Sequence, residues 1–186
     1  MINFDAKVEC GPEYVALREL DHKNEIKVGN LVLSNHSMAN EKLAKYKVES
    51  VGSVAAKEYG LKIGDYVLAD KCASFYHSYP VSLFKYNNVI AKANEDFSEF
   101  KPVKNTIFVA EDEFNKVYGN FMVNANSDHI RTGTIVDMNI SEDDFNDYPF
   151  KVGDHVMLVK GGDVISMNGK HMFIFKPDML ICKIVD

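Results

Sequence analysis

Histidines, cysteines and one acidic run are the residues of this 186-residue chain best suited to chemistry. His22, His36, His77, His129, His155 and His171 are scattered, with no HxxxH or HxH pair and no acidic partner at a useful spacing, so neither a metal-ligand pair nor an acid–base couple is spelled out. They read as ordinary surface or core histidines. Cys10, Cys72 and Cys182 stand far apart with no CxxC, which leaves reduced thiols rather than a disulfide framework or a zinc knuckle. Glu142, Asp143, Asp144 and Asp147 are dense enough to attract a cation but lack the calcium-loop spacing and its glycine, and so read as a solvated loop. No phosphate loop, GxSxG or dinucleotide fingerprint occurs. The expectation is a protein that is not an enzyme and needs no metal or cofactor.

Binding chemistry is better supported, because the chain repeats itself. "LKIGDYVL" (61–68) and "FKVGDHVM" (150–157) are nearly the same eight letters, about 90 residues apart. "FKYNNVIAKA" (84–93) pairs with "FKPDMLICKI" (175–184), and "VGNLVLSN" (28–35) with "YGNFMVNAN" (118–126). Three anchors in one order at a nearly constant offset indicate a duplicated unit. In the third anchor, Gly-Asn precedes three apolar residues whose surroundings are polar: "DHKNEIK" and "SNHSMANEK" in the first copy, "EDEFNK" and "NANSDH" in the second. Such a segment can be an ordinary core strand, or an apolar tip that stays unfolded until it meets a partner.

Short strands must position these anchors. "EYVALREL", "YKVESV", "GDYVLADK" and "NNVIAKA", then "NTIFVAEDE", "TGTIVDMNI", "GDHVMLVKG" and "HMFIFK", are rich in Val, Ile, Phe and Tyr and bounded by turn residues. This is an all-β pattern, suited to small barrels or sandwiches. "SMANEKLAKYK" (37–47) is the one weak helix candidate. Asn168-Gly169 is a strong hairpin signal, whereas Pro80 in the matching stretch of the first copy should interrupt a ladder. Within the repeated turn, Gly64 and Gly153 can take a left-handed backbone, Asp65 and Asp154 can cap it, and Val67 and Val156 should enter the core. A formal charge of −6 argues against nucleic acid as a partner, since phosphate contacts need clustered Lys and Arg. No stretch approaches the roughly 20 apolar residues that span a bilayer, and the first residues lack a secretion signal. A cytoplasmic location is expected, in the host cytoplasm if the source is viral.

The order of these elements resembles the GroES-like ten-kilodalton co-chaperonins, the lids of chaperonin cages, written twice in one chain. The second copy matches over Pro102 to Val109, Gly119 to Val123, Lys151 to Val156, Gly161 to Gly169 and Leu180 to Val185; the first matches from Tyr14 to Ala93. Residues 1–93 would form the first GroES-like domain, with 1–11 an N-terminal extension, 94–101 a linker and 102–186 the second domain. The resemblance implies two small β-barrels, each with a long mobile loop whose apolar tripeptide docks on a GroEL-like chaperonin. It places Gly29, Leu31, Val32 and Leu33 in the first binding tip and Gly119, Phe121, Met122 and Val123 in the second. The family usually has two glycines before the tripeptide, and here each pair is Gly-Asn. "GSVAAKEYGL" and "ISEDDFNDYPF" look too short for a complete roof hairpin, as in some bacteriophage lids.

The resemblance further implies a ring-forming homo-oligomer. The final strand of the first domain would meet the opening strand of the second, leaving the first domain's opening strand and "LICKIV" (180–185) as free edges between chains. A ring of whole chains would hold an even number of domains, which cannot match a sevenfold chaperonin one domain per site. The alternative reading is a structural or assembly protein built from duplicated β-domains, such as a viral particle component.

Overall fold

The two copies of the Gly-Asp stretch fold into one and the same turn. Gly64 and Gly153 sit at φ 92° and 91°, a backbone that costs glycine little. Asp65 Oδ2 accepts the Lys62 amide at 2.9 Å, and Asp154 Oδ2 accepts the Lys151 amide at 2.9 Å. Each turn is stitched to a neighbouring strand: the Gly64 amide donates to Val48 O and the Gly153 amide to Ile135 O, both at 2.8 Å. Val67 and Val156 are fully buried just beyond. The turn is thus a structural device, as its residue types imply.

The computed structural model describes residues 8–20, 25–28, 31–34, 43–78, 81–112, 117–118, 121–122, 130–140, 150–159, 161–167 and 170–185. They belong to two compact units, Met1–Phe97 and Ser98–Asp186. Their boundary falls inside the expected linker. The first unit holds β1 (Tyr14–Glu19), β2 (Glu25–Val28), β3 (Leu31–Ser34), β4 (Leu43–Val51), α1 (Ser53–Tyr59), β5 (Tyr66–Asp70), β6 (Tyr76–Ser78), β7 (Val81–Lys85) and β8 (Val89–Ala93). The second holds β9 (Phe100–Pro102), β10 (Thr106–Glu111), β11 (Val117–Tyr118), β12 (Phe121–Met122), β13 (Ile130–Asn139), β14 (His155–Val159), β15 (Asp163–Met167), β16 (Lys170–Phe175) and β17 (Leu180–Lys183).

Antiparallel pairing gives the order β6-β7-β1-β4-β5-β8 in the first unit and β15-β16-β10-β13-β14-β17 in the second. The two orders match strand for strand. So do the register shifts: one between Ala16 and Leu17 against β4, its counterpart between Phe108 and Val109 against β13. A second pair lies at Leu68/Ala69 and Met157/Leu158. The duplication read from the letters is therefore present in the backbone. Val15, Leu17, Tyr46, Val48, Val67 and Phe84 are buried in the first unit. Ile107, Val109, Ile135, Val156, Leu158, Phe173 and Phe175 form a core cluster in the second.

Several expectations need correction. Both sheets are open, and no closed barrel is found among the described residues. β1 lies between β7 and β4, and β10 between β16 and β13, so neither of these strands offers a free edge. Hairpin β6–β7 persists despite Pro80, with Ser78 opposite Val81 just as Met167 stands opposite Lys170. Pro80 itself lies outside the described residues. From Leu43 onward the helix candidate is strand β4. The α-helix found among the described residues, α1, is only seven residues long, too short to show a helical period in the sequence; it ends at Gly60, left-handed at φ 60°.

Candidate functional site

Each unit holds a separate two-stranded hairpin between the same two strands of its main sheet, β2–β3 between β1 and β4 and β11–β12 between β10 and β13. The Leu20 amide donates to Lys45 O at 3.0 Å, one step beyond β1, and the Asp112 amide donates to Thr132 O at 3.1 Å, one step beyond β10. In the first hairpin β3 pairs antiparallel with β2, Leu31 opposite Val28, Val32 opposite Lys27 and Leu33 opposite Ile26. In the second, Phe121 on β12 stands opposite Tyr118 and Met122 opposite Val117. Neither hairpin joins its unit's main sheet.

Five of the eight expected binding residues are thus placed on the second strand of a separate hairpin: Leu31, Val32, Leu33, Phe121 and Met122. Gly29, Gly119 and Val123 lie outside the described residues. Leu31, Val32, Leu33, Phe121 and Met122 therefore belong to strands outside the main sheets.

The hairpin roots differ in chemistry. Below the first, Tyr46 on β4 is fully buried and packs edge-on against Phe84, ring centroids 5.2 Å apart. Burial pushes its phenol pKa up, with the Glu19, Asp70 and Cys72 charges adding to the shift. Below the second, Arg131 pairs with Glu111 at 3.2 Å and lies 4.2 Å over the Phe173 ring. The Asp112 carboxylate is almost enclosed, with His155 Nε2 3.9 Å away. His155 therefore has an acidic neighbour after all, supplied by the fold across a distance that sequence spacing does not show.

Each repeated turn also gains a partner from its last strand. Lys92 Nζ lies 3.0 Å from Asp65 Oδ2, and Lys183 Nζ 2.7 Å from Asp154 Oδ1. The Lys183 hydrogen bond holds the Asp154 carboxyl below its ordinary pKa, helped by the Lys151 amide and opposed by burial. Both lysines occupy the same place in the FK anchor, so the repeat itself carried the signal. Among the described residues no group of three or more His, Cys, Asp or Glu side chains could hold a metal ion. The acidic run at 142–147 lies outside them. No helix among them is long and apolar enough to cross a membrane.

The sequence matches no protein-family model and no curated protein.

Proposed function

We propose that this chain is a tandem co-chaperonin of the GroES-like kind, a lid that caps a chaperonin ring through its two separate apolar hairpins. The observation that carries the reading is the repetition of the hairpin. Two units that differ widely in sequence keep an apolar strand in a separate hairpin after the same root bond, outside the main sheet. Docking would bury Leu31, Val32 and Leu33, or Phe121, Met122 and Val123, at about 1.5 to 3 kcal/mol per side chain. Ordering backbone costs about 1 to 2 kcal/mol per residue. A hairpin already paired in the free chain has met part of that cost before binding. A single tip binds weakly, and several tips on one assembly bind tightly through avidity and let go together. The chain itself makes and breaks no covalent bond; ATP is used by the chaperonin.

Self-association supplies the several tips. β17 ends the second unit's sheet, with Ile181 and Cys182 exposed, and an unpaired strand edge is a template for another chain. The same edge supports the alternative, an assembly protein of duplicated β-domains that never meets a chaperonin. Capture by an immobilised GroEL-type chaperonin, with and without ATP, separates the two: nucleotide-dependent capture is expected of a lid. Native mass spectrometry at tens of micromolar tests assembly. A closed oligomer is expected, and a strict monomer with or without chaperonin refutes the ring.

A further inference from the structure

The register of the two hairpins sorts their residues onto faces, because directly opposed residues of an antiparallel pair share a face and neighbours along a strand alternate. In the first hairpin Ile26 stands opposite Leu33 and Val28 opposite Leu31, so these four share one face. Glu25 with Ser34 and Lys27 with Val32 share the other. In the second hairpin Tyr118 opposite Phe121 takes the place of Val28 opposite Leu31, and Val117 opposite Met122 that of Lys27 opposite Val32. The tripeptide 31–33 is therefore divided: Leu31 and Leu33 lie on one face, Val32 on the other. Only the first of these faces is apolar at every described position in both copies; the reverse face carries Glu25 and Lys27 in the first hairpin.

A site that accepts both hairpins alike can enclose the matched apolar face, but not the reverse one, where a lysine would have to leave water. Building on the reading of the chain as a chaperonin lid, we propose that the docking element is this ribbon face, so that Ile26, Val28 and Tyr118 on the first strands determine recognition together with Leu31, Leu33 and Phe121. Its occupant is an uncharged apolar cleft of a GroEL-type chaperonin, wide enough for two strands. Size favours this occupant over a second copy of the chain. Each strand of the first hairpin is four residues long, and at about 3.3 Å per residue and about 4.8 Å per strand the ribbon offers a face on the order of 130 Å². A stable pair of proteins buries about 800 Å² on each partner. A contact this small holds only where the partner repeats it, as a ring of identical subunits does.

The test compares the chain concentration that half-saturates immobilised GroEL-type chaperonin with ATP for the full-length parent, Val28→Thr/Tyr118→Thr and Lys27→Thr/Val117→Thr. The two variants place the same residue at adjacent positions of the same strands, on opposite faces, and threonine keeps the strand preference. The Val28→Thr/Tyr118→Thr variant should need about tenfold more chain, since a hydroxyl then enters an apolar contact at each hairpin. Lys27→Thr/Val117→Thr should match the parent. Ile26→Thr alone, on the docking face, should weaken capture in the same direction. Parent-like capture of Val28→Thr/Tyr118→Thr, or a loss as large in Lys27→Thr/Val117→Thr, overturns the face and leaves the lid reading standing. No capture of the parent refutes the lid reading, and this occupant with it.

Discussion

Tyr46 in the first unit and Gly133 in the second occupy the same place: each stands between a glutamate on one neighbouring strand, Glu19 or Glu111, and a buried valine on the other, Val67 or Val156. One is a large aromatic side chain and the other none at all. The surrounding positions compensate. Where the first unit has the small Ala44, Ala69 and Ser82, the second has Arg131, Leu158 and Phe173. Phe84 takes its aromatic neighbour from β4, and its counterpart Phe175 takes one from β16, Phe173, at 6.2 Å. A core keeps its fold through total volume and pattern rather than through particular residues. What both units retain unchanged are the backbone devices: the left-handed glycine, the aspartate cap, the register shifts and the hairpin root.

That contrast can be broken most severely at Tyr46. Tyr46→Ala empties a fully buried site and strips Phe84 of its aromatic neighbour, and should cost about 3 to 5 kcal/mol. Denaturant unfolding measures the loss, and hydrogen exchange should place it in β1, β4 and β7 rather than in β10, β13 and β16. The mirror substitution does not restore symmetry. A Cβ on Gly133 would sit 2.4 Å from Ala110 O and 2.6 Å from Val109 Cγ1, so Gly133→Ala should itself destabilise by about 1 to 3 kcal/mol.

The retained devices predict equal effects in the two units. An added Cβ at Gly64 or Gly153 meets nothing within 4 Å, so alanine pays only for the left-handed backbone. Gly64→Ala and Gly153→Ala should each cost about 1 to 2 kcal/mol, and a large difference between them would show that the turns are not equivalent.

A smaller asymmetry lies in the ion pairs. Asp154 is buried, whereas Asp65 is more open to water. Lys92→Met should cost under about 1 kcal/mol, as exposed pairs do, and Lys183→Met more, because it strands an enclosed carboxylate. The Asp154 carboxyl is held below its ordinary pKa in the folded chain, so its contribution is fully present above about pH 4 and fades as pH falls through the folded value. The gap between parent and Lys183→Met in urea midpoint should therefore be widest near neutrality and shrink in acid. A gap independent of pH would assign the effect to packing of the lysine stem.

Much of this was legible in the letters, for reasons that differ by element. Gly-Asp turns were readable because φ preference and side-chain capping act over three residues. Eight strands of the main sheets were readable because each is short, rich in β-branched or aromatic residues and flanked by turn residues. The place of Tyr14–Glu19 in the middle of its sheet was not, since neighbours in a sheet are chosen by contacts across the whole unit. The Lys92–Asp65 and Lys183–Asp154 pairs join residues far apart in sequence, and the only sign of them was the matched place of the two lysines in the repeat. Of the site, the apolar segments were visible as Gly-Asn plus three apolar residues, but their hairpin pairing and common root emerged only from the structure. Open sheets in place of barrels were hidden because alternation fits both.

The central claim is that two matched hairpins present Leu31–Leu33 and Phe121–Val123 to a chaperonin. Surface-immobilised GroEL-type chaperonin with ATP, probed with the parent chain and with the double variant Leu31→Asp/Phe121→Asp, tests it directly. The parent should be captured and the double variant should not, with far-ultraviolet circular dichroism and Tm unchanged because both substitutions lie outside the main sheets. Equal capture of the folded double variant, or no capture of the parent, would contradict it.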